Sequence, residues 1–207
     1  ASPLASARPS GYRCFRARCW QATDPDRSGP LWRLVREGFT FDRWLDWLLA
    51  LPVICVPRDG RMIEARDLTF ARWMERGYEG TWPGLSDFDR HSRTALPEVR
   101  VGRRIELRGA DNGPLAHPLG LAALWKGLLY DEEALQAAEA VAGAIPLEDL
   151  PELLDTAIEV GLSGRFGGRS LRAWVGYLLE IASGGLSRQA PDGPAEVAYL
   201  APLVELA

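Results

Sequence analysis

Two groups of polar residues have the types and spacing needed to handle a charged substrate. The first group contains Arg13, Arg16, Arg18, Trp20 and the segment TDPDRSG at 23–29. A guanidinium offers two parallel donors that match phosphate or carboxylate oxygens, and the aspartates of the segment could hold a cation or orient such an arginine. The same residues also fit an Asx-turn beside solvated arginines, and residue types alone favour that plainer interpretation.

The second group alternates along the sequence RRIELRGAD at 103–111. On an extended strand, Glu106 and Arg108 point to the same face. A carboxylate that could bind Mg²⁺ beside a guanidinium that could contact a transferring phosphoryl group is the pairing that acyl-phosphate chemistry requires. A cross-strand ion pair on a solvated face explains the alternation equally well. Of the 8 tryptophans, only Trp20 lies beside the arginine group and is a candidate site residue.

The three cysteines, Cys14, Cys19 and Cys55, do not suggest a disulfide framework because their number is odd. This usage is typical of a reducing compartment, so we expect a cytoplasmic protein. A zinc site based on Cys14 and Cys19 is not expected, because His91 and His117 are the only histidines and neither lies at ligand spacing.

Composition excludes several classes of protein. The 207 residues are 47% hydrophobic and 25% charged, which is enough to build a sizeable core. A net charge of −4 argues against a nucleic-acid-binding module. The only lysine, Lys126, lies in ALWKG and not in a phosphate-binding P-loop. The longest apolar stretch, 45–56, is too short to span a bilayer, and we expect no signal peptide.

The elements that would position the candidate residues divide the chain into a strand-containing part, 1–113, and a helical part, 114–207. In the first part, Thr40, Thr69 and Ser86 are predicted to begin helices. The other predicted elements of this part are a hairpin of strands 53–56 and 61–65 around a turn at 58–60, and a central strand at 101–108.

The helical part shows amphipathic repeats interrupted by glycine and proline. Glycine-rich joints are predicted at 164–168 and 184–185, and a surface loop is predicted at 187–194. The helices are predicted at 119–129, 131–141, 147–161, 170–182 and 195–205.

A series of motifs, taken in order, resembles the C-terminal portion of a glutamate–cysteine ligase of the plant and bacterial type, a relative of glutamine synthetase. Each motif is weak alone, but their common order is fairly specific and covers about residues 16 to 131. The motifs are Arg16 with Trp20, TDPDRSG (23–29), EGFTFDRW (37–44), Leu51-Pro52, the turn 58–60, Leu68-Thr69-Phe70, His91, LPEVR (96–100), IELRGAD (105–111) and LWKGLLYD (124–131).

The resemblance implies an α+β fold in which a partial antiparallel active-site sheet is backed by a helical C-terminal layer. It implies ATP-dependent joining of the glutamate γ-carboxylate to the cysteine amine through a γ-glutamyl phosphate, with ATP and Mg²⁺ as cofactors. By match to the family's Glu-x-Arg strand, Glu106 is expected to bind Mg²⁺ and Arg108 to contact phosphate or the glutamate carboxylate. Arg16 and Arg27 match arginines of the segment that closes over nucleotide and acyl phosphate, and Trp20 would wall that site.

The chain also departs from the family pattern. The family often has Arg-Ser-x-(Ile/Val)-Trp where this chain has RARCW at 16–20, and Val53-Ile54 replaces its Met-Tyr. Nothing in 1–207 matches the family's Glu-x-Glu strand and further metal-binding carboxylates. We therefore expect the chain to be inactive alone, or to need a missing N-terminal half or a second copy. The alternatives are a non-catalytic interaction or regulatory remnant of the fold, and a ligase that uses a different acceptor amine.

Overall fold

The computed structural model describes residues 3–58, 60–65, 67–111, 113–190 and 196–207. It is an α+β structure in which helices predominate, as predicted. Two short 3₁₀ turns, Gly161–Ser163 and Glu196–Leu200, accompany the α-helices. The α-helices of the described residues are α1 Phe15–Gln21, α2 Trp32–Arg36, α3 Phe41–Ala50, α4 Phe70–Arg76, α5 Leu85–Thr94, α6 Ala116–Leu129, α7 Glu132–Gly143, α8 Leu150–Glu159, α9 Leu171–Gln189 and α10 Ala201–Leu206.

The strands described by the structure pair two by two. Four of the pairs are antiparallel: β1 with β2, β4 with β5, β7 with β8 and β9 with β10. The remaining pair, β3 with β6, is parallel and joins distant parts of the sequence. The strands are β1 Leu4–Ala5, β2 Arg8–Pro9, β3 Ser28–Gly29, β4 Cys55–Arg58, β5 Arg61–Glu64, β6 Leu96–Pro97, β7 Val99–Val101, β8 Ile105–Leu107, β9 Arg165–Phe166 and β10 Arg169–Ser170.

The chain forms two compact units. The strand-containing unit runs from Cys19 to Gly109, and the helical unit combines the residues up to Arg18 with those from Ala110 onward. The division at 113 that the sequence predicts thus lies close to one of these boundaries. The contacts differ from it at the N-terminal end, because backbone N–H groups of Arg13 and Cys14 both donate to the Ile158 carbonyl in α8.

Two of the predicted helix starts are confirmed in atomic detail. The hydroxyls of Thr40 and Thr69 each accept a hydrogen bond from the backbone three residues later, at 3.2 Å, and so cap α3 and α4. The prediction for Ser86 is wrong by two residues. Helix α5 begins after Gly84, whose N–H donates to Asp87 Oδ2 at 2.9 Å, so a carboxylate on the first turn performs the capping.

The first predicted hairpin forms, with its first strand displaced by two residues. Strand β4 is Cys55–Arg58, whereas Val53 instead donates its N–H to the Leu68 carbonyl at 2.7 Å. In the antiparallel register Arg58 pairs with Arg61 across the turn. Asp59, the residue on which the turn prediction mainly depended, lies outside the described residues.

The predicted continuous strand at 101–108 is wrong. The chain turns at 102–104 and pairs Val99–Val101 with Ile105–Leu107 as a hairpin. The Gly102 N–H bonds to the Arg104 carbonyl at 3.1 Å within that turn. The predicted strand extended across the turn because Arg104 continues the polar positions of the pattern and Val101 its apolar positions. Periodicity alone does not reveal where a strand reverses.

The predicted glycine joint at 184–185 is also wrong, because α9 continues through both glycines to Gln189. A Cβ on Gly185 would overlap the Gly127 carbonyl of α6, and a Cβ on Gly127 would overlap the Ala182 backbone of α9. These glycines therefore do not end a helix. They permit the backbones of α6 and α9 to approach closely. The joint at 164–168 is a β-hairpin, with positive φ at Gly167 and Gly168.

The loop and the helix predicted after the joint at 184–185 also differ from the structure. Residues 187–189 belong to α9 and not to a loop, while 191–194 lie outside the described residues. The helix predicted at 195–205 is a 3₁₀ turn followed by α10.

Each unit has its own buried hydrophobic core. In the strand-containing unit, Val56, Phe70 and Trp73 centre one buried cluster and Trp44 and Leu48 centre another. In the helical unit, α6 packs on α9 and on the C-terminal 3₁₀ turn.

Candidate active site

The strand-containing unit brings Arg108 and Trp20 together, although they lie 88 positions apart in the sequence. The guanidinium carbon of Arg108 lies 5.9 Å from the centroid of the Trp20 ring, within the range of a cation–π contact. The Arg108 Nη1 atom is buried, and its backbone N–H donates to the Glu98 carbonyl at 2.8 Å. The arginine is therefore held at the end of β8, beside the segment that the sequence singled out independently.

Glu106 faces a different set of residues from those expected. Its Oε2 accepts hydrogen bonds from Arg100 Nε at 3.1 Å and Arg100 Nη2 at 2.5 Å, and Arg104 Nε lies 3.8 Å from Oε1. Arg100 and Glu106 are direct cross-strand partners in the β7–β8 register. The ion-pair interpretation of this strand is thus confirmed, with Arg100 as the main partner.

Among the described residues, Glu106 lacks the partners that a magnesium site needs. A Mg²⁺ site needs several oxygen ligands, whereas this carboxylate is surrounded by guanidinium groups. Within the described ranges, no group of three or more His, Cys, Asp or Glu could hold a metal ion. That Glu106 binds Mg²⁺ stays a prediction, and this chain's described residues do not provide a magnesium site by themselves.

An arginine-lined cleft of about 990 Å³ opens beside Glu106. Arg93 of α5, Arg100 of β7, and Arg103 and Arg104 of the hairpin turn line it, and its apolar side is formed by residues of α3 and by Val101. Arg93 pairs with Asp89 at 2.9 Å. In the described part of the chain, the Arg103 side chain makes no hydrogen bond or ion pair, so positive charge is in excess here.

Sequence reasoning missed most of this cleft. It paired Glu106 with Arg108 along one strand, and the hairpin turn that brings Arg100 opposite Glu106 was not predicted. The available signal was Gly102 between two runs of polar and apolar alternation, because glycine inside a strand pattern marks a bend or a turn.

Arg27 is buried, with 7% of its surface exposed, and joins three segments of the chain. Its Nε donates to Asp24 Oδ2 at 2.6 Å, Nη1 to Thr94 Oγ1 at 2.9 Å and Nη2 to the Pro52 carbonyl at 2.8 Å. The Asx-turn interpretation of TDPDRSG is confirmed, since the Asp26 N–H donates to Asp24 Oδ1 at 3.1 Å, but Arg27 itself is not solvated. Its role toward nucleotide stays a prediction, and its present bonds order the turn.

Arg16 lies on α1, in the part of that helix that belongs to the helical unit. It is half-buried. Trp20 follows one helical turn later on the same helix, and Ser28 Oγ contacts its carbonyl at 3.4 Å. Its predicted contact with nucleotide stays a prediction.

His91 is part of the buried support of this unit. Its ring stacks on Phe70 with centroids 4.8 Å apart, and Nε2 lies 2.8 Å from the Leu48 carbonyl. Burial holds the pKa of His91 below its ordinary value, and the positive charge of Arg27 lowers it further, whereas the hydrogen bond to Leu48 raises it. A neutral imidazole that links α3 to α5 is a structural element and not a metal ligand.

Comparison with known proteins shows relatives of one activity. The chain is 34% identical to glutamate–cysteine ligase A, chloroplastic, of Oryza sativa subsp. indica over 96% of its length. It is 33% identical to the chloroplastic glutamate–cysteine ligase of Brassica juncea over 99% of its length and to that of Arabidopsis thaliana over 91%. It spans 40%, 40% and 37% of these three relatives, about two fifths of each.

The names of these relatives contradict the cytoplasmic location expected from cysteine usage, because each is named as a chloroplastic protein. An odd number of cysteines indicates a reducing environment, and that indication does not identify the compartment. Among the described residues, no helix is both long and apolar enough to cross a membrane.

The family model for glutamate-cysteine ligase family 2 (GCS2) matches residues 1–173, which include every motif on which the resemblance depends. The match and the relatives agree with the order of motifs from Arg16 to Asp131. The chain belongs to glutamate-cysteine ligase family 2.

Proposed function

We propose that this chain is part of an ATP-dependent ligase that joins the γ-carboxylate of glutamate to the amine of cysteine through a γ-glutamyl phosphate. Family membership supports this activity, and the arginine-lined cleft beside Glu106 is the observation that carries it. The chain spans about two fifths of its relatives, so the activity is proposed for a protein that includes the remainder.

The main requirement of the reaction is stabilisation of the negative charge on the transferring phosphoryl group. Transfer of a phosphoryl group spreads charge over three equatorial oxygens, and fixed donors aimed at those oxygens lower the barrier. The cleft beside Glu106 offers four guanidinium groups against the carboxylates of Asp89 and Glu106. We assign the cleft to the phosphates of the nucleotide and of the acyl phosphate.

Arg108 is proposed to contact the acyl phosphate or the glutamate carboxylate. The Trp20 ring limits the positions that its guanidinium can occupy, and a fixed guanidinium loses less rotamer freedom when it binds an oxyanion. Trp20 would in addition exclude water from one side of the reacting group, which protects an acyl phosphate from hydrolysis.

The resemblance implies Mg²⁺, but the described residues alone offer it too few ligands. The carboxylate matched to a metal ligand is engaged by Arg100, and the described residues contain no further cluster of ligands. Glu106 in this chain instead sets the position of Arg100 at the edge of the cleft.

Binding of nucleotide tests the proposal on the chain itself. We expect ATP to bind in a calorimetric titration, and the pair Arg100→Gln and Arg104→Gln to weaken binding about tenfold or more, since each charge-assisted bond contributes about 1.5–3 kcal/mol. The control is the pair Arg72→Gln and Arg76→Gln, exposed residues of α4 in the same unit. Equal losses in both pairs, or none in the first, would refute the assignment of the cleft.

The reaction is tested on a protein that includes the remainder of the relatives' length. We expect ADP release that depends on both glutamate and cysteine, and Arg108→Lys to lower turnover far more than substrate binding, because lysine cannot form the bidentate contact. Replacement of cysteine by a panel of amines separates this activity from a ligase with another acceptor. ATP binding without any ADP release would indicate the non-catalytic alternative.

A further inference from the structure

The helical unit contains a second groove, of about 650 Å³, which the ligase proposal does not use. It lies between α7, the start of α8, the β9–β10 hairpin and α9. Alanines keep its floor shallow, at positions 137 and 140 of α7 and at position 144 directly after that helix. A groove of this volume is within the range of sites that bind small molecules.

One wall of the groove is aromatic, and its tryptophan ring is held by a hydrogen bond. Trp174 and Tyr177 lie three residues apart on α9, and Phe166 of β9 joins them. The Trp174 Nε1–H donates to the Phe166 carbonyl at 3.2 Å, which sets the orientation of the indole. The indole therefore offers its ring face at a low entropic cost of ordering on binding.

This wall already holds a cation. The guanidinium carbon of Arg169, an exposed residue of β10, lies 5.4 Å from the Trp174 ring centroid. Electron-rich ring faces attract guanidinium and ammonium groups, and indole does so most strongly. Because the side chain of Arg169 is exposed, its displacement from the ring would cost little.

The groove carries more negative than positive charge. Asp149 and Glu152 line it, against the single guanidinium of Arg169. Asp149 precedes α8 without capping it through its side chain, and neither carboxylate forms a hydrogen bond or ion pair with the described residues. Two carboxylates and an indole face together are complementary to an organic cation, and not to the anions that suit the arginine-lined cleft.

We propose that this groove binds a small organic dication, with a guanidinium or ammonium group on Trp174 in place of Arg169 and a second cationic group at Asp149 and Glu152. The site goes beyond the proposed ligase reaction and does not depend on it. Arg169 acts as an internal competitor that occupies the ring face when the ligand is absent.

Agmatine is a suitable probe, because it carries a guanidinium and an ammonium at opposite ends of a four-carbon chain. We expect saturable binding of agmatine to the chain by calorimetry at low ionic strength. The pair Asp149→Asn and Glu152→Gln should weaken binding about fivefold or more, since each ionic contact contributes up to about a factor of five at exposed sites. Glu139→Gln, an exposed carboxylate of α7 outside the groove, is the matched control and should leave binding unchanged.

The decisive variant is Arg169→Gln. Removal of the competing guanidinium should tighten agmatine binding about threefold to fivefold, which corresponds to an exposed cation–π contact. General attraction of a cation to a protein of net charge −4 would instead be weakened by Glu139→Gln as much, per charge removed, as by the groove pair. Arg169→Gln would then tighten agmatine binding no more than Arg165→Gln, at the other end of the hairpin. No binding up to millimolar agmatine, or equal effects of these paired variants, would overturn the proposal. Unchanged helical circular dichroism in each variant excludes loss of folding as the cause.

Discussion

Arg27→Ala is the substitution with the clearest consequence for the strand-containing unit. It removes three hydrogen bonds, which join the guanidinium to Asp24, Thr94 and Pro52. The two bonds to neutral acceptors contribute about 1 kcal/mol each, and the bond to the partly exposed Asp24 carboxylate about 1–1.5 kcal/mol. We therefore expect the free energy of unfolding to fall by about 3 kcal/mol, as the Pro52 carbonyl also loses its partner from Arg27.

Arg27→Lys refines the expectation. An ammonium keeps the charge and can reach one of the three acceptors, but it cannot serve all three, because the fork of the guanidinium is what spans them. The lysine variant should recover about 1 kcal/mol of the loss. A variant that instead recovers full stability would show that charge, and not the geometry of the fork, holds the turn.

Urea unfolding followed by tryptophan fluorescence measures this effect. Six of the 8 tryptophans, at positions 20, 32, 44, 47, 73 and 82, lie between Cys19 and Gly109, so the signal reports mainly on the affected unit. Arg103→Ala serves as the control, because the Arg103 side chain makes no hydrogen bond or ion pair within the described residues, and should change stability by less than about 0.5 kcal/mol. An effect of Arg27→Ala as small as that of the control would refute the structural role of Arg27.

Four further substitutions test other parts of the fold. Gly185→Ala should lower the free energy of unfolding by about 1–3 kcal/mol, because its Cβ would meet the α6 backbone. Gly176→Ala on the same helix, with open space around it, should raise it by up to about 1 kcal/mol. Equal thermal stability of the two variants would contradict the close packing of α6 and α9. The pKa of His91 is lowered from 6.5 in the folded chain, so below about pH 6.5 the unfolded chain binds more protons than the folded one. Stability should therefore fall as the pH drops below that value, and the denaturant midpoint of His91→Gln should fall less steeply. Arg188 holds the pKa of the Asp131 carboxyl below its ordinary value, so Arg188→Ala should raise that pKa, as measured by NMR titration, and an unchanged titration would exclude the pair.

Local signals in the sequence were sufficient for several elements. Thr40 and Thr69 precede apolar repeats of helical period, and the capping hydroxyl lies only three residues from the N–H that it accepts from. Asp131 caps α7 in the same way, through the Ala134 N–H at 2.9 Å. These interactions are complete within four residues, so no knowledge of distant packing is needed to predict them.

The two largest errors in the predicted elements both involve glycine. Gly102 was placed inside a strand, where it lies in a turn, and Gly185 was placed in a joint, where it lies inside a helix. Glycine permits both a reversal of the chain and a close approach of two backbones. The choice between them depends on what packs against it, which is Gly127 in the case of Gly185.

The candidate site likewise has features that follow from the sequence and features that depend on tertiary contacts. The sequence by itself determined the family, the residue types of the arginine and RRIELRGAD segments, and the alternation that places Glu106 among cations, because these are properties of order and spacing. Only the tertiary structure decided that Arg100 pairs with Glu106, that Arg27 is buried and that Arg108 meets Trp20. The physical reason is that a guanidinium can form favourable interactions in water, in a buried hydrogen-bond network or over an aromatic ring. Which of these environments it occupies depends on contacts between residues far apart in the chain.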